Sequence, residues 1–82
     1  MREAVSAQVV RLLRDERKRL GMSMDVLAAR AGLSQSMISL IERDLRNPTL
    51  DTLLRIADVL DVELADILAK AKRAAVTGRR KS

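Results

Sequence analysis

Gln35, Ser36, Ser39 and Leu40 lie within six residues of one another, directly behind Ser34. At helical spacing they form one side of a short helix whose chemistry is hydrogen bonding to flat polar edges. Gln can bond adenine bidentately through N6 and N7, Ser donates or accepts, and a Leu side chain suits a thymine methyl group. Met37 lies between this side and the interior. The surrounding segment, Met24 to Arg43, contains Ala28 where two helices would cross closely and Gly32 where a left-handed turn is required. Ile38 and Ile41 then pin a second helix across the first. This is the spacing of a DNA-binding helix-turn-helix, two short helices joined by a tight turn, in which one helix braces the other in a major groove about 12 Å wide. On the segment alone a second reading stays open: Ser34 followed by Gln35 and Ser36 is also an ordinary capped surface helix.

The elements that must position this side are helical nearly throughout. No alternating Val/Ile/Thr run and no Asn-Gly or Asp-Gly hairpin is present. A first helix is expected from about Ser6 to Leu20, with Val9, Leu13 and Leu20, joined by Val10 or Leu12, as its buried stripe. Arg11, Arg14, Lys18 and Arg19 face solvent in this reading, and Gly21 ends the helix. A second helix covers about Met24 to Ala31 behind the N-cap Ser23, with Val26, Leu27 and Ala31 inward and Gly32 as its stop. The third covers about Gln35 to Arg43 behind Ser34. The fourth follows Thr49 and runs from about Leu50 to Leu60, with a wide apolar stripe. The fifth starts near Asp61 or Glu63 and extends to about Ala74. The expected fold is all-α: one domain over residues 1–75, then a frayed basic tail over 76–82.

Composition narrows the classes of function. The chain has 82 residues, enough for one domain with a thin stability margin. It has no Cys and no His, which excludes disulfides, thiolate zinc sites and histidine general bases. No Phe, Tyr or Trp is present to stack single-stranded bases. No convergent carboxylate pair, nucleophile–base pair or Gly-rich phosphate loop is visible, so neither an enzyme nor a cofactor is expected. No run approaches the roughly 18 apolar residues of a membrane span, and Met1-Arg2-Glu3 does not open a signal peptide, so a cytoplasmic protein is expected. The net charge of +5 is uneven: residues 1–46 carry nine Lys/Arg against six Asp/Glu, residues 47–69 one against five, and residues 70–82 six against none. The outer blocks could meet a polyanion; the middle block could not.

A longer pattern is more specific than any of these. Leu20-Gly21-Met22-Ser23, Leu27-Ala28, Ala31-Gly32-Leu33-Ser34, Ile38-Ser39, Ile41-Glu42-Arg43, Arg46-Asn47-Pro48-Thr49-Leu50 and Thr52-Leu53-Leu54-Arg55-Ile56-Ala57 occur in this order and spacing. Over roughly residues 9–69 the chain resembles the Cro/C1-type (Xre-like) helix-turn-helix family, which includes phage repressors, restriction–modification controller proteins and antitoxins. The resemblance implies a compact five-helix, lambda-repressor-like domain whose third helix reads double-stranded DNA. It places Gln35, Ser36, Ser39 and Leu40 at base edges, and Ser34, Arg43, Arg46, Asn47 and Thr49 near phosphates together with the N-terminus of the second helix. It also implies an ion pair between Arg17 and Glu42 that orients the third helix; the alternative is two solvated charges. Two positions depart from the family pattern. Met24 stands where a backbone-contacting Gln is frequent, and Asp44 where Gly is usual.

Related proteins work as pairs, so a homodimer is expected. Leu64, Ile67, Leu68 and Ala71, with Val59 and Val62 beside them, are the candidate dimer face, unless that face only closes the subunit's own core. An antitoxin or adaptor that uses the same fold to hold a protein partner is the alternative function. The basic tail could touch DNA, a partner or nothing.

Overall fold

The computed structural model describes the backbone of residues 1–81 and the side chains of residues 1–76. Five helices follow in order: α1 (Arg2–Arg19), α2 (Met24–Ala31), α3 (Gln35–Glu42), α4 (Leu50–Leu60) and α5 (Leu64–Lys81). Strands are absent among the described residues. α1 packs along α5 and also touches α3 and α4, while α2 packs on α3 and α4. Leu27 of α2, Ile38 of α3 and Leu60 of α4 are the most deeply buried large side chains, surrounded by Val9, Val10, Leu13, Ile41, Ile56 and Ile67.

Helix starts follow the hydroxyl caps expected from the sequence. Ser23 Oγ accepts from Val26 N–H, Ser34 Oγ from Met37 N–H and Thr49 Oγ1 from Thr52 N–H, each at 3.1 Å. Each bond satisfies one amide that the helix itself leaves unpaired. Helix ends share a single device. In α1–α4 a left-handed residue (Gly21, Gly32, Asp44 or Asp61) turns the chain. The amide of the apolar residue after it (Met22, Leu33, Leu45 or Val62) then reaches back to a carbonyl of the last turn at 2.8–3.1 Å. This is the Schellman closure.

The structure revises several expectations. α1 begins at Arg2 rather than Ser6, because no breaker stands in Glu3-Ala4-Val5 and Val5 packs against the core. Leu20 falls just past the end of α1 and is exposed, and Arg17 takes the inward position one turn after Leu13. Val26 is exposed rather than inward. α3 stops at Glu42, with Arg43 as its C-cap. Asp61 belongs to the end of α4, so α5 starts only at Leu64. α5 also runs past Ala74 to Lys81, with Ala75 buried, so the backbone expected to fray is helical. The side chains of Arg79, Arg80 and Lys81 in the expected basic tail lie outside the described residues.

Gly32 has a second constraint besides its φ of 71°. A Cβ placed on it would sit 3.0 Å from Arg55 Nη1. That nitrogen donates to the Ala31 carbonyl at 3.3 Å, while Arg55 Nε donates to Asp51 Oδ2 at 2.8 Å. A cation from α4 thus caps the negative end of α2 at the turn into α3. Gly32→Ala should lower stability by about 1–2 kcal/mol from the left-handed backbone alone. Urea unfolding followed by circular dichroism checks this; a loss within about 0.5 kcal/mol of zero, the range of an ordinary surface substitution, would show the turn indifferent to a side chain.

Candidate nucleic-acid interface

α3 has two unlike sides because its eight residues, about 12 Å of helix, carry apolar side chains at Ile38 and Ile41 and polar ones opposite. Ile38 and Ile41 are buried in the core, and Met37 is half-buried against it. Gln35 and Ser36 are exposed, and Ser39 and Leu40 are half-exposed. The side expected to read an edge is therefore presented outward, with its most open residues in the first turn. The hydroxyl oxygen of Ser34 is occupied as a cap acceptor, but its O–H remains a donor at the same end of the helix.

Ser34, Arg43, Arg46, Asn47 and Thr49 are all exposed and flank the two ends of α3. Arg43, Arg46 and Asn47 follow α3 in the loop to α4, offering two cations and an amide at its far end. Thr49 is more committed than its sequence position suggests, since its hydroxyl also donates to Thr52 Oγ1 at 3.0 Å. Its direct use on a phosphate would require that bond to break. The amides at the start of α2 lie behind Ser23 at a helix N-terminus, a geometry that suits an anion. Met24 is half-buried against the core, so its departure from the family pattern serves packing. Asp44 adopts φ 57° without glycine, which the short carboxylate side chain tolerates.

Two arginines of α1 hold the far end of α3. Arg17 Nε donates to Glu42 Oε2 at 2.6 Å and Arg17 Nη2 to Glu42 Oε1 at 2.8 Å, a two-pronged pair with side chains about one-tenth exposed. Arg17 Nη1 also donates to the Met22 carbonyl at 2.8 Å. The guanidinium thus ties the α1–α2 corner to the end of α3, and its planar fork fits the carboxylate in a way a lysine could not. Arg14, expected in solvent, is half-buried, and its Nη1 approaches the Glu42 carbonyl at 3.5 Å. Its Nε is buried with no hydrogen-bond partner in the structure. Arg14 precedes Arg17 by one turn on the same side as Val10 and Leu13, a spacing that could have placed it inward. Arg55, which braces the turn, was equally missed in the sequence; only its position on α4 beside the core residue Ile56 hinted at it.

The candidate dimer face divides. Leu64, Ile67 and Ala71 are 8%, 6% and 0% exposed within a single subunit, so they close its own core. Only Leu68, 42% exposed, is left on the surface. The reason is the close packing of α5 along α1, which consumes the inward stripe of α5.

The comparisons with known proteins agree with this architecture. A family model described as helix-turn-helix matches residues 13–67. The chain is 35% identical over 68 residues to the uncharacterized HTH-type transcriptional regulator y4dJ of Sinorhizobium fredii, covering 83% of each. It is 39% identical over 57 residues to the HTH-type transcriptional regulator SinR of Bacillus subtilis, covering 68% of this chain but only 51% of SinR. The chain therefore spans most of one curated relative and about half of the other. Among solved structures, a point mutant of the restriction–modification controller protein C.Esp1396I superimposes with a TM-score of 0.80 at 26% identity, covering 89% of this chain and 95% of that one. SinR in complex with DNA gives a TM-score of 0.68 at 36% identity over 73% of this chain and 97% of that chain. SinR has also been solved with SinI, with the same score. From the matched span, the five-helix architecture and these relatives, the chain belongs to the Cro/C1-type (Xre-like) helix-turn-helix family of transcriptional regulators.

Proposed function

We propose that this chain regulates transcription by binding a specific double-stranded DNA sequence, with α3 in the major groove and two subunits on an operator of two half-sites. The supporting observation is the two-sidedness of α3: Ile38 and Ile41 root it, Arg17 and Glu42 fix its end, and Gln35 and Ser36 stand open. In this reading Gln35, Ser36, Ser39 and Leu40 contact base edges. Ser34, Arg43, Arg46 and Asn47 bind phosphates, with Thr49 contributing through its backbone and helix end. A single α3 reads few base pairs. Two of them one helical turn apart, about 34–36 Å, double the site. The protein works in the cytoplasm, on the nucleoid, without a cofactor and without catalysis. Its relatives are regulators, and among the described residues no helix is long and apolar enough to cross a membrane.

Selection of bound duplexes from a random pool should return a two-fold symmetric sequence. On that sequence Gln35→Ala should cost about 1–3 kcal/mol at one base position and relax preference there. Arg46→Ala should weaken all duplexes alike and reduce the salt dependence of binding by about one counterion. Equal loss on every sequence for Gln35→Ala would remove α3 as the reader.

A second use, as an adaptor for a protein partner, is favoured by the likeness to SinR as solved with SinI. Duplex binding without sequence preference, alongside tight binding to a co-expressed protein, would favour this use over operator recognition.

A further inference from the structure

We propose that Leu45 belongs to the DNA-reading surface, where it and Leu40 together receive the 5-methyl group of a thymine. The inference rests on the reading of α3 as the helix that enters the major groove, and it adds to that surface a residue from outside the helix.

The closure at the end of α3 ties the two leucines together. Asp44 turns left-handed at φ 57°, and its amide donates to the Ile41 carbonyl at 3.0 Å. The Leu45 amide then donates to the Leu40 carbonyl at 2.9 Å. In a Schellman closure the apolar residue after the turn commonly packs on the residue whose carbonyl it binds. Met22, Leu33 and Val62 hold the same place after α1, α2 and α4, and all three are partly buried against the core. Leu45 departs from them. It is 62% exposed and lies outside the core, and its backbone partner Leu40 is half-exposed. The end of α3 therefore carries an apolar surface that the subunit itself leaves open.

Charge and position select what covers it. Arg43 and Arg46 flank Leu45, with only Asp44 against them, and all three are exposed, so the loop is net cationic. An apolar protein face would leave those cations without a counter-charge. Duplex DNA offers phosphates to the arginines and, in the major groove, an aliphatic group at each thymine. Leu40 lies one turn after Ser36 along α3. The leucine pair thus continues the line of polar readers with an apolar end. Gln35 and Ser36 can sort donors from acceptors; two leucines sort thymine from cytosine, because only thymine carries the methyl group.

Exchange of operator thymines for deoxyuridine, one at a time, removes only the 5-methyl group, and titration of labelled duplexes reads the effect. For the parent chain one thymine in a half-site should stand out, its exchange weakening binding about fourfold, the factor that burial of one methyl-sized group supplies. In Leu45→Ala that factor should fall below about twofold, while Leu45→Met, which keeps the bulk, should hold it near its parent value. The melting curve of Leu45→Ala should match the parent's, because the position is exposed. Weaker binding of Leu45→Ala to every duplex, with the methyl factor intact, would assign Leu45 to the sugar–phosphate face and overturn the proposal. So would an operator whose thymines all tolerate deoxyuridine. A Leu45→Ala chain that binds DNA as the parent does but self-associates more weakly would hand the surface to a second copy and overturn it too. In each of these cases α3 remains the reader as long as Gln35→Ala shifts the preference at one base position. A parent chain with no preferred sequence ends both readings.

Discussion

Glu42→Ala should destabilise the folded chain by about 3–5 kcal/mol, the usual cost of stranding one partner of a buried ion pair. The substitution leaves the Arg17 guanidinium nine-tenths buried with only the Met22 carbonyl to accept from it. Against a total stability of about 5–15 kcal/mol for a small domain, that loss consumes much of the margin. Urea unfolding followed at the helical circular dichroism signal measures it. The exchange Arg17→Met with Glu42→Leu should recover most of the loss, because a buried pair replaced by packed apolar groups is often neutral. A loss below about 1 kcal/mol for Glu42→Ala would put the pair in the class of solvated surface bridges and remove its role in orienting α3. Where the double exchange folds, its DNA selectivity separates stability from orientation. Recovered stability with blurred operator preference assigns the pair to aiming the helix.

Ile38→Ala should cost about 2–5 kcal/mol, as large-to-small changes in a packed core do. Ile38 is 1% exposed and, with Leu27 of α2 and Leu60 of α4, forms the deepest part of the interior. It is also the residue through which α3 is rooted, so operator binding should fall together with stability. Ile38→Val should cost only about 0.5–1.5 kcal/mol and leave binding nearly intact. Ser36→Ala, two residues away on the exposed side, should change stability by no more than about 0.5 kcal/mol. Unfolding curves of the three variants give the ranking. An Ile38→Ala chain as stable as Ser36→Ala would mean that α3 is not anchored through this side.

Much of this architecture could be read from local chemistry. Ser23, Ser34 and Thr49 announced three helix starts because a hydroxyl before an amphipathic run has few other uses there. Gly21 and Gly32 announced two ends because only a residue without Cβ turns left-handed at no cost. Asp61 was harder to read, since an aspartate also opens helices, and it delayed the start of α5 from the expected position to Leu64. The arginines were harder still. Arg14 and Arg55 each lie on a helix with charged neighbours, and their long side chains can either reach into solvent or bend back across the fold. Which they do depends on a partner distant in the sequence: the Glu42 carbonyl for Arg14 and the Ala31 carbonyl for Arg55. Periodicity along one helix holds no information about that partner. The same limit applies to the stripe expected as a dimer face, of which Leu64, Ile67 and Ala71 pack inside the subunit. The α5 stripe was apolar enough to pair with something, and the something was α1 of the same subunit.

The way α3 is held also bears on how such a chain diverges. The fastenings of this helix (Ile38, Ile41 and Met37 behind it, the Ser34 cap at its start and the Arg17 grip on Glu42 at its end) involve neither the Gln35 nor the Ser36 side chain. Mutational drift at those two positions is therefore almost unconstrained by folding. If Gln35 and Ser36 read bases as proposed, a duplicated copy could change its target sequence one residue at a time and remain a soundly folded protein at every step.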